Sequence, residues 1–109
     1  MSEIASILQN LKSTPELHAF VHAELQQVVT FEDPSGLRWN PHKIAAEIAK
    51  THELPTVVSD DTIARFLRGK KINKTSLSAI AGFLLIFDFI TPTDLEGFAL
   101  IRSFSTEIV

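Results

Sequence analysis

At three places in this chain a helix-capping Thr or Asn stands directly before a proline: Thr14-Pro15, Asn40-Pro41 and Thr91-Pro92. A side-chain oxygen at the cap accepts one of the orphan N–H groups of a first helical turn, and proline at the next position lacks the N–H that would be unpaired there anyway. Each pair therefore predicts a helix start. Alternation of period two is sparse along the chain, so a substantial sheet is not expected.

Apolar spacing fills the intervals between these starts. Ile4, Ile7, Leu8 and Leu11 make a short amphipathic stretch before the first cap, and Leu17, Phe20, Val21, Leu25 and Val28 continue the helical spacing after it. The turn formers EDPSG, residues 32–36, close this unit, and Leu37-Arg38-Trp39 leads into the second cap as a loop or short extended piece. The spacing predicts a helix from Pro41 to about His52 that buries Ile44, Ala45, Ile48 and Ala49. Ser59 caps another, which buries Ile63, Phe66 and Leu67, turns Asp61, Arg65 and Arg68 outward and stops at Gly69. After the loop KKINK a helix is expected from about Thr75 to Phe89, burying Leu77, Ile80, Ala81, Leu84 and Leu85. Leu95, Phe98, Ala99, Ile101 and Phe104 make the last helix after Thr91-Pro92. The expected fold is an all-α single domain spanning residues 1–109, with five or six helices.

A chain of 109 residues with 45% apolar content buries one core of ordinary size. It has no cysteine, so disulfides and thiolate metal sites are excluded and the cytoplasm is the simplest home. The longest apolar run, AIAGFLLIFDFI, contains Asp88 and falls short of the ~20 residues a membrane span needs, so it reads as a buried helix. The opening SEIASILQNLK has an early acid and no basic segment before its apolar residues, unlike a secretory leader.

The net charge of −3 conceals a segregation. From Arg38 to Lys74 eight Lys or Arg face four Asp or Glu, a net of +4, while the rest of the chain sets two basic residues against nine acids, a net of −7. One anion-facing surface on an acidic body has this pattern. The basic residues cluster behind SDDTIARFLRGKK, Ser59 to Lys71, a short helix that opens on two aspartates. Acids there lie beside free N–H groups and the positive end of the helix dipole, each contributing a few tenths to ~1 kcal/mol.

This stretch, with its capping serine, polar residues, buried Ile, second buried pair and Gly followed by a basic residue, resembles the recognition helix and following turn of the lambda-repressor-like (Cro/C1, XRE-type) helix-turn-helix family. LSAIAGFL, Leu77 to Leu84, is similar to the packing helix that family places next, and the resemblance covers Pro41 to about Phe87. It implies a helix-turn-helix core at 41–87. Base-reading positions of the family fall on Asp60, Asp61 and Arg65, with Ser59 and Thr62 near the backbone. Arg65 suits that role, because its planar fork pairs bidentately with guanine; an aspartate accepts only from a donor such as cytosine N4. ELPTVV separates His52 from Ser59 and is longer than the ~3–4 residues of the tight motif.

Competing chemistry is thin. His18 and His22 stand at i, i+4, a spacing that holds a metal only with further ligands, and they read as two partly exposed helix histidines. Asp60-Asp61 has no nucleophile or glycine-rich phosphate loop beside it, so neither an enzyme nor a cofactor is expected. Trp39, the single tryptophan, reads as a core anchor. The function expected is sequence-specific binding of duplex DNA by a transcriptional regulator, with Arg65 in the major groove and Lys43, Arg68, Lys70, Lys71 and Lys74 on phosphates. Such a module commonly acts as a homodimer on a two-fold site, and the first and last helices offer dimer surfaces, though their apolar stripes suit packing within the chain equally well. The alternative is a protein–protein adaptor on the same scaffold, with the acidic tip of the helix against a basic protein surface and no DNA bound.

Overall fold

The structure, a computed structural model, describes residues 3–31, 36 and 38–96. Among the described residues six helices follow one another: α1 (Glu3–Gln9), α2 (Pro15–Thr30), α3 (Pro41–Lys50), α4 (Asp60–Leu67), α5 (Lys74–Ile86) and α6 (Pro92–Glu96). Among the described residues there is no strand, and no helix is long and apolar enough to cross a membrane. The expected all-α architecture is what the chain adopts.

Each cap–proline pair starts a helix by the expected local bonds. Thr14 Oγ1 accepts from the Leu17 N–H at 3.1 Å and Asn40 Oδ1 from the Lys43 N–H at 2.8 Å. At Thr91 the exchange is reciprocal: the Asp94 N–H donates to Thr91 Oγ1 at 3.3 Å while the Thr91 N–H donates to Asp94 Oδ2 at 2.8 Å. Phe98, Ala99, Ile101 and Phe104, assigned to the last helix from the sequence, lie outside the described residues, as do positions 32–35 of the turn segment and Leu37.

α5 is the axis of the core. From Leu77 to Leu85 every residue is buried, including Ala79, Gly82 and Phe83 and the polar Ser78, because α1, α2 and α3 all pack on it. An apolar helix surrounded on all sides is what its composition requires. At Gly82 the approach is so close that a Cβ would overlap Leu54 Cδ2 and lie 2.9 Å from Leu8 Cδ1. Leu54 belongs to the long connection between α3 and α4. That connection is therefore more than a turn: it drops Leu54 onto α5 and buries Val58 before the chain reaches Ser59.

Three expectations are corrected. α5 stops at Ile86 instead of near Phe89, because Asp88 adopts a left-handed φ of 62° and its N–H bonds to the Leu85 carbonyl while the Phe89 N–H reaches the Leu84 carbonyl. These are the two bonds of a Schellman turn, and aspartate is among the few non-glycine residues that tolerate the conformation. α3 ends at Lys50, two residues early, where Thr51 turns extended and donates its hydroxyl to the Glu47 carbonyl at 2.9 Å. Ala49 faces solvent, so α3 buries Ile44 and Ile48 with Ala45 at the margin.

Candidate nucleic-acid interface

α4 is eight residues long and is held at both ends by its own sequence. At the start, Ser59 Oγ accepts from the Thr62 N–H at 3.1 Å and lies 2.9 Å from Thr62 Oγ1. Asp60 and Asp61 occupy the first turn, where the dipole favours them. Each also meets a side chain of this chain: Asp61 Oδ2 lies 3.1 Å from Arg65 Nε one turn on, and Asp60 Oδ2 lies 3.6 Å from His42 Nδ1 on α3. At the far end Gly69 takes a φ of +94°, its N–H bonds to the Phe66 carbonyl and the Lys70 N–H to the Arg65 carbonyl, which closes the helix in a Schellman turn. Ile63 and Phe66 are buried, Leu67 is half-buried, and Asp61, Arg65 and Arg68 are exposed as expected.

Between α4 and the start of α5 lies an open cleft of about 480 Å³, lined by Thr62 and Arg65 from α4, Lys70, Lys71 and Ile72 from the loop, and Asn73 and Ser76 at the head of α5. Asn73 caps α5 by accepting from the Ser76 N–H at 2.8 Å. Three cations, one of them paired with Asp61, and the positive end of a 13-residue helix thus share one concavity that, among the described residues, no acidic side chain lines. The side chains there can donate hydrogen bonds and neutralise negative charge, and they include neither a nucleophile–base pair nor a carboxylate pair.

The ten residues assigned from the sequence do not form one surface. Thr62, Arg65, Lys70 and Lys71 come together in the cleft, and Arg68 is exposed at the end of α4. Ser59, Asp60 and Asp61 stand exposed at the other end of the helix. Lys43 instead lies 5.6 Å from the centre of the Trp39 ring, where the indole face attracts its ammonium. Trp39 in turn packs edge-on against Phe83, Phe87 and Phe89. Lys74 lines a different hollow, about 450 Å³, with Ala5, Leu8, Gln9, Glu53 and Pro55. Asn73 and Ser76 were not assigned from the sequence. The signal for Asn73 was present, since Asn three residues before a helical serine is a standard cap, whereas nothing local shows that the cap opens onto Arg65.

His18 and His22 are the partly exposed helix histidines that the sequence predicts, and both lie on the side of α2 that meets α4. Both rings stand edge-on to Phe66 of α4, with centroids 4.9 and 5.4 Å away. A ring nitrogen of His22, Nε2, is 3.1 Å from the Leu67 carbonyl, which accepts a second bond from Gln26 Nε2 at 2.7 Å. His18 Nε2 is enclosed with no hydrogen-bond partner among the described residues. Burial holds the His18 imidazole below its ordinary value, and the nearby His22 and Lys71 push the same way. Among the described residues no group of three or more His, Cys, Asp or Glu could hold a metal ion.

Comparison with known proteins finds no family model that matches the chain, no matching curated protein and no matching solved structure.

Proposed function

We propose that this chain binds duplex DNA as a transcriptional regulator, with α3, the long connection and α4 serving as a helix-turn-helix of the lambda-repressor-like kind. The carrying observation is the acid-free cleft of Arg65, Lys70 and Lys71 beside the N-terminus of α5. Phosphate is the anion it suits, since lysines supply point charges and helix-end N–H groups supply aligned donors. In this reading Lys70 and Lys71 seat the backbone of the duplex, and Arg65 at the cleft edge probes the major groove when it leaves Asp61. Lys43 and Lys74, which face elsewhere, belong to the outer rim or to no contact at all. The adaptor alternative has less support, because the two aspartates it relies on already face Arg65 and His42 of this chain.

Titrating random duplex DNA against salt tests the reading before any site is known. Phosphate contacts from Lys70, Lys71 and the exposed Arg68 at the end of α4 give a slope of log K against log salt of about −3 per protomer, and roughly twice that for a dimer. Lys70→Ala with Lys71→Ala flattens the slope by about 2 and weakens all sequences alike. Arg65→Ala costs about 1–3 kcal/mol at a preferred site and little on random DNA. No binding at low ionic strength, or equal loss on all DNA from Arg65→Ala, overturns the respective assignment. If the regulator is a two-fold dimer, half-sites lie about 34 Å apart, and sedimentation of a strict monomer with one-to-one binding excludes it.

A further inference from the structure

Leu67 is the last residue of α4, and its carbonyl is one of the four that a helix end leaves without an internal partner. Two side chains of α2, one turn apart and more than forty residues earlier in sequence, both reach it: Gln26 through Nε2 and His22 through a ring nitrogen. A carbonyl only accepts, so the His22 nitrogen facing it carries the proton. One turn further back on α2, His18 lies against Phe66 with Nε2 enclosed and unpartnered. The surroundings of that ring offer a second proton nothing. From α2 it meets His22, from the loop after α4 it meets Lys71, and from α4 it meets the uncharged ring of Phe66. The ionisable residues of α4 itself, Asp60, Asp61 and Arg65, are exposed, and α5, the other helix packed on α2, has only Lys74, which lines the hollow beside Glu53.

We propose that His22 and Gln26 are positioning residues that hold α4 by its terminal carbonyl, and that His18 makes this hold release on acidification. A proton on His18 Nε2 creates a buried N–H with no acceptor among the described residues and with the Lys71 ammonium nearby, and water reaches it only if the seam between α2 and α4 opens. Opening the seam removes both donors from Leu67, loosens the last turn of α4 and shifts the loop that carries Lys70 and Lys71. The coupling between α2 and α4 stands by itself. Its effect on DNA rests on the function proposed above.

Amide hydrogen exchange of the full chain by NMR, corrected for the intrinsic rate at each pH, reads the hold directly and without DNA. The informative amides are those of Arg68, Gly69 and Lys70, which bond back into α4. In Gln26→Glu, an isosteric change that replaces the donor with an acceptor, their protection falls roughly fivefold, the weight of one ordinary hydrogen bond, while Leu84 and Leu85 in α5 are unmoved. His22→Gln keeps an N–H donor and stays close to wild type. In wild type the same three amides lose protection as the pH falls below 6.5, the ordinary value of the imidazole, and His18→Leu abolishes that dependence. Unchanged protection in Gln26→Glu, or loss spread equally into α5, overturns the positioning role. A flat wild-type pH series overturns the His18 role even if a variant does not fold. DNA titrations on the same samples separate the two proposals: loosened α4 with undiminished DNA affinity leaves the hold intact and removes α4 as the reader, whereas unaltered exchange with DNA binding present does the reverse.

Discussion

α4 and α5 are adjacent helices of similar standing in the chain, yet they are held by opposite means. α5 is buried residue after residue from Leu77 to Leu85. α4 buries Ile63 and Phe66 in packing on α3 and α2, and single bonds add to that: Ser59 at one end, Gly69 at the other and the two α2 side chains on Leu67. A helix placed by area tolerates changes of polar detail, and a helix placed by single bonds leaves most of its side chains free for a ligand. The second arrangement suits an element that presents Arg65 to a partner.

Truncating the core sharpens the contrast most. Ile80→Ala should lower global stability by about 2–5 kcal/mol, and Phe66→Ala by about 3–5 kcal/mol, measured by urea unfolding. The two differ in kind: Phe66→Ala also strips the surface on which His18 and His22 rest, so it should raise hydrogen exchange in α4 well before the global transition, while Ile80→Ala should not. Equal local and global loss in both would erase the distinction between the helices.

The ends of α4 come next. Ser59→Ala should cost about 1 kcal/mol, as loss of a cap usually does. Gly69→Ala should cost about 1 kcal/mol as well, and by strain alone, because a Cβ there meets nothing within 4 Å while the φ of +94° disfavours any side chain. If Gly69→Ala is neutral in thermal melts, the end of α4 is not held in the left-handed turn.

Acidification follows in size. His18 has its ordinary value of 6.5 in the unfolded chain and a lower one when folded, so below 6.5 the unfolded state binds the proton more readily. The stability tied to neutral His18 is complete above that value and is lost as the pH falls from it through the lowered one. Urea midpoints should decline over that window in wild type and decline less in His18→Leu. The smallest effect belongs to the exposed pair on α4. Arg65→Ala and Asp61→Ala should each stay within about 0.5 kcal/mol, since a solvated pair one turn apart contributes little. A larger loss would make Arg65 structural and unavailable to DNA.

Much of this was legible because helix starts and apolar stripes are local. Thr14, Asn40, Ser59 and Thr91 each bond a group three residues on, and such contacts depend on nothing but the neighbouring sequence. The stop after Gly69 is of the same kind. The end of α5 was misplaced because the apolar run continues through Phe87, Phe89 and Ile90, and only the left-handed turn at Asp88 breaks it. Arg65, Lys70 and Lys71, chosen by charge and position, line one cleft. Lys43 and Lys74 satisfied the same count, yet one rests over Trp39 and the other faces α1.

The sequence by itself determined an all-helical chain, the starts of its capped helices, the faces that α2 and α4 turn inward and the concentration of positive charge around α4. Only the tertiary structure decided that Leu54 would settle on Gly82, that four aromatic rings would gather at Trp39, that the cations would divide between two hollows, and that His22 and Gln26 would close on Leu67. The reason is range. Caps and stripes are set by bonds and periods of three to four residues, whereas the contact of α2 with Leu67 spans 41 and 45 residues and exists only once both helices have docked.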